Sequence, residues 1–112
     1  MSGRTLALVR FPVTGSLTPR ERRQLLERTS PAYRTIPGLR RKHFISAPGE
    51  GGGLYEFDDR AIAEAYFGAA WYERMRAQYG VTPTVELFDD PCVVDNVAGS
   101  IEFDDDVPVA DR

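Results

Sequence analysis

The sequence predicts an α+β fold in the order β-α-β-β-α-β. Three observations carry that prediction: short alternating apolar runs near residues 5–12, 39–47, 53–57 and 85–96; helix-start signals after Leu17 and at Asp58-Asp59; and corners rich in proline and glycine between them. A chain of 112 residues has room for one domain with one modest core.

The first strand is TLALVRFP, in which Leu6, Leu8 and Arg10 alternate with Ala7, Val9 and Phe11 and Pro12 ends the run. Thr18-Pro19-Arg20-Glu21 then combines an N-cap threonine, proline at the first helical position and a glutamate three residues on, which is a capping box. The helix it opens is expected to run to about Tyr33. Leu25, Leu26, Thr29 and Tyr33 give it one apolar face, while Arg20, Arg22, Arg23 and Glu27 face water. Ile36-Pro37-Gly38 turns the chain into LRRKHFISA. There, Leu39, Arg41, His43, Ile45 and Ala47 share one side and Arg40, Lys42, Phe44 and Ser46 the other. The odd-numbered side is the more apolar and is expected to face the core.

Pro48 to Gly53 reads as a glycine-rich hairpin connection and Gly53 to Phe57 as the third strand. The glycines lack the lysine of a phosphate loop and the spacing of a dinucleotide fold, which excludes both. Asp58-Asp59 caps a helix from about Arg60, with Ile62, Ala65, Tyr66 and Ala69 inward and a bend at Gly68. AAWYERMRAQYG continues it with Trp71, Met75 and Gln78 or Tyr79 on one stripe, closed by Gly80. The last strand, VELFDDPCVVDN, is interrupted at Asp89-Asp90-Pro91, which places it at a sheet edge or a bulge. Asp89 and Asp90 point to opposite sides of a strand, so they are read as turn formers and not as a catalytic carboxylate pair.

This order is the split βαβ pattern of ferredoxin-like domains, an antiparallel sheet with helices on one face. The other face needs cover as well, and the same face of a second copy supplies it around a two-fold axis, so a homodimer is expected. The domain is assigned to residues 1–96. Residues 1–96 hold 13 of the 14 basic residues and 12 of the 17 acids, whereas 97–112 hold five acids and one arginine. That acidic C-terminal tail is expected to be disordered, with a dimer-crossing arm as the alternative.

A formal net charge of −3 and 42% hydrophobic residues describe a soluble globular chain and give no footprint for nucleic acid. No run approaches the length of a membrane span, and the start shows no signal-peptide cleavage pattern, so a cytoplasmic protein is expected. One cysteine and one histidine cannot build a disulfide or a Cys/His metal cluster. Cys92 is expected to be a small buried hydrophobe.

IPGLRRKHF, GGGLYEF with its acid-capped AEAYF helix, and AAWYERMRAQYGVTPTVELFDDPCVVDN resemble the YdhR-like monooxygenases of the dimeric α+β barrel superfamily. The resemblance spans about residues 5–96. It implies a pocket between helices and sheet in each subunit, and a cofactor-independent oxidation of an electron-rich aromatic or polyketide-like molecule by O2. The superfamily also includes cyclases, isomerases and haem-degrading enzymes, so fold alone does not choose the reaction. A cyclase or isomerase using the same pocket, and a ligand-binding protein without turnover, are the alternatives.

Within such a pocket His43 is the candidate catalytic base, because imidazole titrates near neutrality. Arg10 and Arg41 are candidates to stabilise the resulting anion. Phe11, Tyr55, Tyr66, Phe67, Trp71 and Tyr72 are candidate walls for a flat substrate. Each has a plainer reading: a satisfied histidine, arginines paired with Glu56, Glu86 or Asp95, and aromatics that only fill the core. No metal or other cofactor is called for.

Overall fold

A computed structural model describes residues 3–105. The main sheet contains β1 (Thr5–Pro12), β2 (Leu39–Ala47), β3 (Glu50–Phe57) and β4 (Thr84–Asp89) in the order β2-β3-β1-β4, all antiparallel. Together with the helices α1 (Pro19–Thr29), α2 (Arg60–Tyr66) and α3 (Ala69–Tyr79), this makes an α+β domain compatible with the ferredoxin-like pattern. Among the described residues, no helix is long and apolar enough to cross a membrane.

Local signals account for the helix boundaries. The Thr18 hydroxyl accepts from the Glu21 N–H at 3.1 Å while the Glu21 carboxylate accepts from the Thr18 N–H at 2.9 Å, closing the capping box. The α-helix stops at Thr29, short of Tyr33, and residues Ser30–Thr35 tighten into a 3-10 helix. Pro31 is the cause, since it has no N–H for a carbonyl four residues back and its ring crowds that turn. Asp59 caps α2 by accepting from the Ile62 N–H at 2.8 Å. Gly80 ends α3 at φ 66°, a left-handed conformation that favours glycine.

One face of the sheet packs on the helices. Ala7, Val9, Tyr55 and Phe57 from the strands meet Ala63 of α2, Phe67 of the α2–α3 link and Trp71 of α3, and these seven side chains are the buried apolar core. Helix α1 has no fully buried residue and covers the far end of that face more loosely.

A bulge near the start of β2 changes its facing. Leu39 pairs with Phe57 and Arg41 with the adjacent Glu56, so two residues of β2 advance against one of β3. Leu39 therefore lies on the helix side, as does Lys42, which pairs with the buried Tyr55. The expected alternation is overturned beyond the bulge: Lys42 and Phe44 face the helices, and Arg41, His43 and Ile45 face away.

The β2–β3 connection is shorter than expected. Ala47 already pairs with Glu50, which leaves a two-residue turn of Pro48 and Gly49, with Gly49 at φ 76°. Gly51, Gly52 and Gly53 belong to β3 itself. A Cβ on Gly52 would sit 1.8 Å from the Val9 carbonyl oxygen, and one on Gly53 would sit 2.9 Å from both Cε of Lys42 and the Tyr55 ring. These glycines answer to close packing and not to turn geometry.

β4 is an edge strand, and Asp90-Pro91 releases the chain into a separate ladder of β5 (Cys92–Asp95) with β6 (Ser100–Phe103). The boundary expected after residue 96 falls in the turn of this hairpin, where the Asp95 carboxylate accepts from the N–H groups of Val97 and Ala98 at 2.9 Å. Residues 100–103 of the expected disordered tail thus form a strand, and Arg4 Nη1 holds Glu102 at 3.2 Å. Residues 106–112 lie outside the described residues. Cys92 is exposed on this hairpin, against the expectation of burial, because β5 leaves the main sheet instead of extending it.

Candidate functional site

A cavity of about 240 Å³ lies between the sheet and the helices. Its floor is Val9 and Phe11 of β1, Lys42 and Phe44 of β2, and Gly52, Gly53 and Tyr55 of β3. The roof comes from two helical stripes. Leu25, Leu26 and Thr29 of α1 continue into Tyr33, the set predicted to be a buried helix face, and Trp71, Met75 and Tyr79 recur every four residues along α3. Because α1 stands off from the sheet, a face that packing would otherwise close remains hollow.

Three of the expected wall residues line the cavity: Phe11, Tyr55 and Trp71. Phe67 stands behind them in the core, edge-on to Trp71 at 4.8 Å between ring centres. Tyr66 and Tyr72 are half-buried beside Tyr55 and Trp71, at 5.9 and 5.0 Å between rings, and back the wall without forming it.

The charged candidates are not brought into the cavity. His43 is exposed and lies in a row with Leu54, Leu8 and Glu86 on the sheet face away from the helices. Its expected position toward the helices followed from counting alternation from Leu39, and the bulge at Arg40 shifts that count by one. Arg41 shares His43's face and pairs with Glu56 at 3.4 Å. Arg10 lies between inward-facing Val9 and Phe11, so it also points away from the helices, and it pairs with Glu50 at 3.8 Å.

Lys42 enters the cavity in their place. Its Nζ lies 3.5 Å from the ring centre of Tyr33, 4.0 Å from Phe44 and 4.6 Å from Tyr55. Among the described residues, no carboxylate forms an ion pair with it. The rings attract an ammonium through their electron-rich faces, but desolvation in this setting opposes the charge and pulls the amine from its ordinary 10.5 down to about 7. Near neutral pH both the ammonium and the free amine are therefore populated.

The neighbouring phenols are shifted the other way. Burial pushes Tyr66 up to about 12 and raises Tyr55 and Tyr33 as well; Arg74 partly offsets the rise at Tyr33 and Tyr66. Tyr33 and Tyr55 thus keep their protons at neutral pH on the wall that holds the amine, with the Tyr55 hydroxyl hydrogen-bonded to those of Tyr33 and Tyr66. The arrangement brings together an amine able to accept a proton, protonated phenols and mostly apolar walls.

A sequence signal for Lys42 existed in its rarity. The chain holds 14 lysines and arginines, and Lys42 is the one lysine. Among the described residues, no group of three or more His, Cys, Asp or Glu side chains is placed to hold a metal ion. Compared with known proteins, the chain matches no family model and no curated protein.

Proposed function

We propose that this protein is a cofactor-independent oxygenase for a flat, electron-rich aromatic molecule, with Lys42 as its base. The observation that carries this reading is the single lysine, held among three aromatic rings in a cavity and drawn down to about 7. The resemblance to YdhR-like monooxygenases supports the oxygen step.

In this mechanism the free amine of Lys42 takes a proton from an acidic CH2 or phenol of the bound substrate. The resulting anion lies beside the new ammonium and the phenol O–H groups of Tyr33 and Tyr55, which stabilise it where charge develops. The anion passes one electron to O2, and the radical pair combines into a peroxide anion. Lys42 returns its proton to that peroxide, and loss of water leaves a carbonyl. In sum, a CH2 group and O2 become C=O and H2O, with the substrate as the only reductant.

Oxygen uptake tests this reading against a panel of anthrones, naphthols and hydroquinones. Uptake with at least one of them is expected, and Lys42→Met should lower it by about a hundredfold or more, the usual contribution of a positioned base. His43→Ala should leave it unchanged. Full activity in Lys42→Met would remove the lysine as base, and turnover without oxygen uptake would make the protein an isomerase or cyclase.

The same reading takes the active form to be a homodimer. The sheet face away from the helices carries Leu6, Leu8 and Leu54, only half-buried, with Ile45 and Phe88 exposed at 38% and 46%. A second copy laid on that face would complete a dimeric α+β barrel and keep these side chains from water.

A further inference from the structure

The contrast between arginine and lysine in this chain is chemical. A guanidinium keeps its proton in a protein, so the arginines can pair with carboxylates but not act as nucleophiles. Arg10, Arg23, Arg40, Arg41 and Arg60 do pair with carboxylates at 3.4–3.8 Å. The lone lysine is placed differently. Its stem runs past Gly53, where even one methyl group would press on Cε at 2.9 Å, and its amine ends among rings instead of acids.

We propose that Lys42 captures carbonyl compounds: its amine condenses with the aldehyde or ketone group of a flat aromatic ligand held in the cavity, forming an imine. The inference rests on the preceding reading of the cavity as a ligand site and names the class of ligand. The nitrogen lone pair forms the C–N bond while the carbonyl π pair moves to oxygen, which takes up a proton from the nitrogen. The hydroxyl of this carbinolamine then leaves with the second nitrogen proton as water, so nothing is oxidised or reduced.

Each requirement of that reaction is met by a feature of the cavity. A free amine is needed, and the partly buried aromatic surroundings disfavour the ammonium. Carbonyl polarisation needs a donor that has kept its proton, which burial favours for Tyr33, whose ring faces the amine at 3.5 Å and whose hydroxyl is hydrogen-bonded with Tyr55. Persistence of the imine needs limited access of water, and the walls are mostly apolar side chains. A volume of about 240 Å³ lies just below the usual ligand range of about 300 Å³ upward, so two or three fused rings suit it better than a larger system.

Reductive trapping tests the proposal on the whole protein. The chain is incubated with 2-naphthaldehyde and cyanoborohydride under nitrogen at neutral pH, and the adduct is located by intact mass and peptide mapping. With an amine near 7 about half is free, against about one part in 2,500 for an ordinary lysine. Lys42 should therefore label at least about tenfold faster in the folded protein than in urea, and 2-naphthol, which has the same rings without the carbonyl, should protect it. Lys42→Arg should yield no adduct at that position. An unlabelled Lys42 in the folded protein, or labelling no faster than in urea, overturns the proposal. Oxygen plays no part in trapping. A protein that traps the aldehyde but consumes no oxygen with the aromatic panel loses the oxygenase reading alone, and one that consumes oxygen but does not trap loses this one alone.

Discussion

At the scale of single residues, Lys42 trades stability for reactivity, and the trade is measurable. Its folded value of about 7 lies below that of an unfolded lysine at roughly 10.4, so between those limits the unfolded chain binds more protons. Stability should rise as pH goes from about 7 toward 10, be depressed most below 7, and lose that slope in Lys42→Met. Above about 10 the raised phenols of Tyr33, Tyr55 and Tyr66 reverse the trend, because they ionise first in the unfolded chain. Urea unfolding of both proteins across this range measures the slopes, and parallel curves would place the lysine in water. Gly53 has a matching cost: Gly53→Ala should destabilise by about 1–3 kcal/mol through crowding of Lys42 and Tyr55. Gly52→Ala should be worse, since the obstacle there is the Val9 backbone and not a side chain that can move.

At the scale of elements, boundaries set by local chemistry were legible in the sequence, and facing set by one bulge was not. Thr18, Glu21, Asp59 and Gly80 mark helix ends through hydrogen bonds and dihedral preferences that act within a few residues, and each does so in the fold. The α3 stripe of Trp71, Met75 and Tyr79 was equally readable from its spacing. Arg40 carried no such mark. A bulge answers to the match between two strands distant in sequence, and without it alternation puts His43 on the wrong side and hides Lys42. The GGG run misled for a related reason, since the closeness of Val9, Lys42 and Tyr55 is a tertiary fact. Deleting Arg40 tests the bulge directly. Removing the extra residue should keep Lys42 facing the helices, preserve its fast labelling, and change stability by no more than about 1 kcal/mol, in keeping with an exposed site. Loss of labelling would mean that Leu39 and Lys42 were not on one face to begin with.

At the scale of the whole molecule, the helices cover one sheet face, and the other keeps Leu6, Leu8 and Leu54 half in water. The unaltered protein should therefore have the mass of a dimer by light scattering and Leu8→Glu that of a folded monomer, and a monomeric unaltered protein would contradict the proposed homodimer. The β5–β6 hairpin adds a second apolar stripe, with Val94 at 61% and Phe103 at 72% exposed. It was illegible as a hairpin because Asp104 to Asp106 make the segment read as a solvated tail. The reactive group is one amine, and the sequence makes that amine easy to observe. Protein carrying labelled lysine should give a single side-chain signal by NMR, since there is one lysine to report. A pH titration of that signal with a midpoint near 7 is the result expected from the cavity around Lys42; a midpoint near the ordinary value of 10.5 would contradict it.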